Sequence, residues 1–159
     1  MKKEAIHAFT ARVTQASRSE LTVILYEMIL AELTEAQEAY GQGDLPGFEK
    51  ELKRAQKYVS ELMATLDYKY TISYDLMSLY LYVNKRIITA VMKREPEPIK
   101  SAQSVLQKLL TGFEGVSRQD KSGPMMKNTQ KVYAGLTYGR GMLNETSLDP
   151  STKGRGFIA

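Results

Sequence analysis

Apolar residues recur along most of the chain at the three- and four-residue spacings that are typical of amphipathic helices. Four such segments, at about 19–40, 45–66, 73–93 and 97–113, are separated by short turn signals. No segment shows the alternation of a convincing β-strand. Because helices of this length joined by short loops pack as antiparallel neighbours, the pattern predicts an all-α, antiparallel up-down four-helix bundle.

The start of the first predicted helix has the clearest local signal. Ser17 and Glu20 have the spacing of a capping box, in which each side chain accepts a hydrogen bond from the other residue's backbone N–H. We expect the residues before Ser17 to form an extended N-terminal arm, which either covers the apolar face of this helix or leaves it open for a partner. That face consists of Leu21, Ile24, Leu25, Met28 and Ile29.

Glycine, aspartate and proline mark the other helix boundaries. Gly41 and Gly43 end the first helix, Asp44 is the expected N-cap of the second, and the segment 95–98 separates the third from the fourth. The predicted core faces are Phe48, Leu52, Ala55, Val59, Leu62, Met63 and Leu66 in the second helix, Leu76, Leu79, Tyr80, Val83, Ile87, Ile88 and Val91 in the third, and Ile99, Ala102, Val105, Leu106, Leu109, Leu110 and Phe113 in the fourth.

The third predicted helix and the turn before it carry more aromatic side chains than a single core stripe requires. Tyr80, Leu81 and Tyr82 are consecutive, so they cannot all face the same core. Two interpretations remain open: the helix has a second apolar face for a partner, or its tyrosines lie at the bundle edge with solvated hydroxyls.

Residues 117–159 differ in composition from the rest of the chain. They hold seven basic and three acidic side chains, so they account for the whole net charge of +4, and they contain six of the eleven glycines. We therefore predict two units, a helical bundle with its arm at 1–116 and a basic flexible tail at 117–159. The tail either stays disordered or docks on an apolar groove through Tyr133, Leu136, Tyr138, Phe157 and Ile158.

The sequence lacks the residues and motifs of the common catalytic and metal sites. The chain has no cysteine and a single histidine, His7, which excludes thiolate chemistry and histidine-rich metal sites. No phosphate-binding glycine loop, secretion signal or membrane-spanning apolar run occurs. We predict a cytoplasmic interaction protein that is not an enzyme, has no cofactor or metal and does not insert into a membrane. A generic helical-bundle adaptor or a weak nucleic-acid-binding protein is the alternative, although the scattered basic residues disfavour nucleic acid.

Three segments together resemble one family. Val13–Leu21, VTQASRSEL, is similar to the pattern V-x-T-A-S/T-P-x-E-L of the flagellin-specific export chaperones, the FliS family. Leu25-Tyr26 matches the first half of that family's LYDG/LYNG motif, and Leu79–Ile87 is similar to its aromatic pattern MYDYMYRRL. The resemblance spans about 13–116. Arg18 stands where the family has proline, and Ala8 stands where it has a tyrosine in the arm.

The resemblance implies a cytoplasmic helical bundle, a monomer or weak homodimer, that binds the C-terminal segment of flagellin in apolar grooves. It implies protection of flagellin from premature polymerisation and delivery to the flagellar type III export gate, whose components are further partners. We assign the partner surface to Leu21, Leu25, Tyr26 and Ile29 of the first helix and Tyr74, Leu79, Tyr82 and Val83 of the third. For the leucine and isoleucine residues, a place in the core is the competing interpretation.

Overall fold

The structure is a computed structural model that describes residues 3–126. In this part of the chain the helices are α1 (Lys3–Gln15), α2 (Arg18–Gly41), α3 (Leu45–Ala64), α4 (Ile72–Lys93) and α5 (Glu97–Gln119), and no strand occurs. Each of α2 to α4 packs against the helix that follows it, and α5 closes the ring against α2. The predicted all-α four-helix bundle is confirmed.

The N-terminal arm is a helix, so the expectation of an extended arm is wrong. Its sequence contains several alanines, which favour helix, and Glu4 in the first turn and Arg12 in the last turn complement the helix dipole. The Arg12 guanidinium forms a two-pronged ion pair with Glu27 of α2, and its Nη2 donates to Glu27 Oε1 at 3.2 Å. Since Thr14 is the one buried residue of α1, few contacts hold this helix on the bundle.

Two predicted helix caps are present. The backbone N–H of Ser17 donates to Glu20 Oε2 at 2.8 Å, and the Glu20 N–H donates to Ser17 Oγ at 3.4 Å, which completes the capping box. At the start of α3, the Gly47 N–H donates to Asp44 Oδ1 at 2.9 Å. Gly43 has a φ of +78° in the turn between α2 and α3, a conformation that favours glycine.

The core follows the predicted faces, with two exceptions in α4. The α3 residues Phe48, Leu52, Ala55, Val59 and Leu62 are all buried, and so are Ile99, Ala102, Leu106 and Leu110 of α5. Leu79 and Ile88, both predicted to be in the core, are 37% and 39% exposed. The buried stripe of α4 runs through Leu76, Tyr80, Val83 and Ile87, so Leu79 and Ile88 fall on opposite flanks of that stripe.

The compact unit that contains the bundle ends at Met125, beyond the predicted boundary at 116, because α5 continues to Gln119. The predicted docking residues of the tail, Tyr133, Leu136, Tyr138, Phe157 and Ile158, lie outside the described residues. Within residues 3–126, no helix combines the length and the apolar character that crossing a bilayer requires.

Candidate partner-binding surface

Four of the eight predicted partner-binding residues lie in the core, so their assignment to a surface is corrected. Leu25, Tyr26, Ile29 and Val83 are between 0% and 7% exposed. The three α2 residues are buried because α2 packs against α1, α3 and α5, so that side chains on several of its faces are covered. Val83 is buried because it lies in the core stripe of α4. Periodicity alone did not separate this broad core stripe from a stripe that waits for a partner.

The other four predicted residues remain accessible to different degrees. Tyr74 is 60% exposed, Tyr82 is 43% exposed and Leu79 is 37% exposed. Leu21 is half-buried and packs against the core. The aromatic third helix of the sequence, α4, therefore does carry apolar surface beyond its core stripe.

Tyr26 and Tyr80 show how tyrosines are accommodated inside the bundle. Their hydroxyl oxygens lie 2.6 Å apart, and the Tyr26 ring also meets the edge of Phe113 at a centroid distance of 5.6 Å. Burial raises the pKa of both tyrosines above the usual value, so both hydroxyls stay protonated at neutral pH. The pair satisfies two polar groups inside the bundle.

An apolar cavity of about 410 Å³ opens at the end of the bundle where α2 begins; we call it the end cavity. Its walls come from the start of α2, the connection between α3 and α4, the start of α4 and the end of α5. Buried or partly buried apolar side chains form its inner part and polar side chains line it as well: Arg18, Ser19, Thr22, Thr65, Leu66, Asp67, Tyr70, Ile72, Ser73, Leu76, Tyr80, Phe113, Val116 and Asp120.

The end cavity continues into an exposed apolar patch along α4. Ile72 and Leu76 line the cavity. Leu79 comes seven residues after Ile72 and three after Leu76, so the three side chains lie on the same side of the helix. Tyr82 lies three residues further on, and both Leu79 and Tyr82 are exposed. We call these two residues the Leu79–Tyr82 patch. A partner segment seated in the cavity can extend along this patch without a break in apolar contact.

A second exposed apolar stripe lies on α4, and the sequence pattern did not predict it. Leu81, Ile88 and Met92 are 54%, 39% and 79% exposed. The spacing of seven residues between Tyr74, Leu81 and Ile88 was the available signal, since such a spacing brings side chains back to nearly the same side of a helix. This stripe lies on the flank of α4 opposite the Leu79–Tyr82 patch.

The residues after α5 are attached to the junction between α1 and α2. The Met125 backbone N–H donates to the Ala16 carbonyl oxygen at 3.0 Å, and the Ser19 hydroxyl donates to Asp120 Oδ2. Hydrogen bonds from Ser122 and Ser19 hold the pKa of Asp120 below its usual range. The rim of the end cavity is therefore built from both ends of the compact unit.

A pair of carboxyl groups joins α2 to α3. Glu32 is 1% exposed, and burial together with its hydrogen bond to Glu51 raises its pKa to about 7. Burial by itself raises the pKa of Glu51. The hydrogen bond from Glu32 and the nearby charges, including Arg54, outweigh it and lower this pKa to about 2. Arg54 Nη1 lies 3.0 Å from Glu51 Oε2. The pair carries one proton at mildly acidic pH.

Among residues 3–126, no cluster of three or more histidine, cysteine, aspartate or glutamate side chains could hold a metal ion. The end cavity and the apolar surface of α4 are two accessible apolar features of this part of the chain. They suit contact with a polypeptide segment.

Comparison with known proteins agrees with this arrangement. The family model described as "Flagellar protein FliS" matches residues 1–120, which include all five helices. The comparison with curated proteins gives no match. The matched region covers most of the chain and confirms the resemblance seen in its first and third helical motifs. The chain therefore belongs to the FliS family, the flagellar export chaperones.

Proposed function

We propose that this chaperone binds the disordered C-terminal segment of flagellin at the end cavity and the Leu79–Tyr82 patch, with Tyr74 at the start of α4 as a further contact. In the same proposal, Leu21 of α2 also contacts the flagellin segment. Binding there covers the part of flagellin that would otherwise polymerise prematurely, and it keeps the client extended for the flagellar type III export gate. The protein acts in the cytoplasm as a monomer or weak homodimer.

The observation that carries this proposal is the continuity of apolar surface from the cavity to the helix face. The cavity is open, and Ile72, Leu79 and Tyr82 on its α4 side are all exposed. A contiguous exposed apolar surface is typical of interaction sites, whereas a single exposed apolar residue is common on any protein. An extended or helical client segment provides contacts of this length, whereas a small ligand would fill the cavity alone.

The energetics suit capture of a disordered client. Ordering a flexible segment costs free energy, so several apolar contacts must form together before binding is favourable. Each leucine or phenylalanine that becomes well buried contributes about 1.5–3 kcal/mol. A few such contacts in the cavity and on the patch offset the ordering cost and still allow release at the export gate.

The test is the affinity of a fluorescently labelled C-terminal flagellin segment for variants of the full chain. The double substitution Leu79→Ser and Tyr82→Ser should weaken binding roughly tenfold or more, because two apolar contacts are lost. Val116→Arg should also weaken binding, since it places a charge on the cavity wall. Val116 is 55% exposed, so the fold should tolerate this change.

Leu45→Ser is the matched control. Leu45 is 37% exposed, the same fraction as Leu79, but it lies at the start of α3 and does not line the end cavity. Its variant should bind the segment as the unchanged protein does. Equal affinities for all the variants would refute the proposed site.

A further inference from the structure

The groove between α3 and α4 has one apolar wall and one basic wall. Gln56 Nε2 lies 3.4 Å from Asn84 Oδ1, so these residues mark where the two helices meet. Leu81 and Ile88 lie three residues before and four after Asn84, which places them beside this contact on α4. Lys53 lies three residues before Gln56, which places it beside the same contact on α3. We call this feature the α3–α4 groove.

The apolar wall of the groove is the exposed α4 stripe of Leu81, Ile88 and Met92. It extends along about 16 Å of the helix, at 1.5 Å for each residue. An incoming helix with apolar side chains at the spacing of three and four residues would match it over about three turns. The stripe is separate from the Leu79–Tyr82 patch, which lies on the other flank of α4.

The basic wall carries lysines that form no close ion pair with a carboxylate of residues 3–126. Lys53 and Lys57 are exposed on adjacent turns of α3, and Lys85 is exposed on α4 beyond the apolar stripe. None of the ion pairs among residues 3–126 involves these three lysines. The neighbouring arginines differ, since Arg54 pairs with Glu51 and Arg94 pairs with Glu49.

We propose that the α3–α4 groove docks an amphipathic helix of a second partner protein, one that carries aspartate or glutamate beside its apolar stripe. The apolar stripe of that helix contacts Leu81 and Ile88, and its acidic side chains face Lys53 and Lys57. This site is separate from the proposed client surface, so the chaperone can hold flagellin and the second partner together.

Charge argues against the two occupants that this chain itself could supply. A second copy that docked through the same groove would bring a second basic wall and no complementary acidic one, because a two-fold interface is formed by the same surface on both copies. Residues 127–159 contain five basic and two acidic side chains, so they also lack the complementary charge. An acidic amphipathic helix is complementary to both walls, since its apolar side chains contact the α4 stripe and its carboxylates face the lysines of α3.

The test uses two designed helical peptides of the same length and the full chain. Both peptides carry leucines at spacings of three and four residues. One carries glutamates beside the leucines, and the other has lysine in place of each glutamate. We expect the acidic peptide to bind, and the basic peptide to bind at least tenfold more weakly. Raising NaCl from about 50 mM to about 300 mM should reduce this difference, because exposed charges are screened.

Two sets of substitutions assign the binding to the groove. The double substitution Leu81→Ser and Ile88→Ser should weaken binding of the acidic peptide at least tenfold. Lys53→Glu with Lys57→Glu should reverse the preference, so that the basic peptide binds more tightly. Lys108→Glu, an exposed lysine of α5, is the control and should leave the preference unchanged. Circular dichroism and thermal unfolding of each variant show whether the bundle is intact.

Saturation with the flagellin segment should leave binding of the acidic peptide unchanged. Equal binding of the two peptides, or an unchanged preference in the Lys53→Glu and Lys57→Glu variant, would overturn the proposal. Displacement of the peptide by the flagellin segment would overturn the claim of a separate site. A dimer that dissociates on Leu81→Ser and Ile88→Ser would make a second copy the occupant and would also overturn it.

Discussion

The hydroxyl oxygens of Tyr26 and Tyr80 lie 2.6 Å apart at the centre of the bundle, between residues that are 54 positions apart in the sequence. The two residues are 0% and 1% exposed, so each hydroxyl depends on the other for its hydrogen bond. The pair links α2 to α4, two helices that are not consecutive in the chain. It also lies close to the chaperone's end cavity, which Tyr80 lines.

Removing one hydroxyl of this pair should destabilise the protein more than removing both. Tyr80→Phe leaves the Tyr26 hydroxyl buried without its partner, which should lower the free energy of unfolding by about 1–3 kcal/mol. The double variant Tyr26→Phe and Tyr80→Phe leaves no orphaned hydroxyl and should lose less than the sum of the two single variants. Urea unfolding of the four proteins measures the coupling. Strictly additive losses would contradict the pairing.

Glu32 should make stability depend on pH in the neutral range. Its pKa in the folded protein is raised from 4.5 to about 7, so the folded state holds the proton to higher pH than the unfolded state does. The free energy of unfolding should therefore fall as pH rises from about 4.5 to about 7, by roughly 3 kcal/mol, and then level off. The lowered pKa of Glu51 acts only in more acidic solution, where stability falls as the pH drops through about 4.5 towards about 2.

Glu32→Gln removes the titrating group but keeps a donor for Glu51. The free energy of unfolding of this variant should depend less on pH between about pH 5 and about pH 8. Near pH 8 the variant should be more stable than the unchanged protein. Urea unfolding at several pH values measures the difference. Glu61→Gln, an exposed site on α3, is the control and should keep the original profile. A Glu32→Gln profile parallel to the original would show that Glu32 does not titrate in this range.

The capping box at the start of α2 should contribute measurably to stability. Ser17→Ala removes the acceptor for the Glu20 N–H and should cost about 1 kcal/mol. Hydrogen exchange should also become faster in the first turn of α2 and in α1, because Ser17 joins the two helices. Ser104→Ala, at an exposed position in α5, should be neutral. Unchanged exchange in the first turn of α2 would contradict the role of the cap.

Truncation after Met126 should tighten binding of the flagellin segment if the tail competes for the client surface. The prediction rests on the mixture of glycine and apolar residues in Val132–Leu143 and on Phe157 and Ile158. A full-length chain with Tyr133, Leu136 and Tyr138 changed to serine separates loss of apolar contact from loss of length. The tail has no such role if the truncated and full-length chains bind the segment with the same affinity.

Local features of this fold could be predicted from the sequence, because they depend on residues that are close together in the chain. The Ser17–Glu20 capping box, the Asp44 cap and the buried face of α3 all follow from spacing over one or a few turns. The burial of Tyr26 and Ile29 could not be separated from exposure in this way. It depends on how many helices surround α2, and that is decided by tertiary packing.

The candidate site was predictable only in outline. The excess of aromatic residues in α4 left open a second apolar face or tyrosines at the bundle edge, and the exposure of Tyr82 fits both interpretations. Leu79 was expected in the core but is exposed. The end cavity had no local signature, since its lining residues come from distant parts of the sequence, such as Arg18, Leu66 and Phe113. The apolar stripe of Leu81, Ile88 and Met92 was visible as a helical spacing but resembled part of a core face.

The central claim is that the chaperone captures the C-terminal segment of flagellin by apolar contact. Isothermal titration of the full chain with that segment, at several temperatures and two salt concentrations, tests it most directly. We predict binding at micromolar concentration or below, with a negative heat-capacity change and little dependence on salt, because apolar surface is buried. Absence of binding at micromolar concentration, or an affinity that falls steeply with salt, would contradict the account.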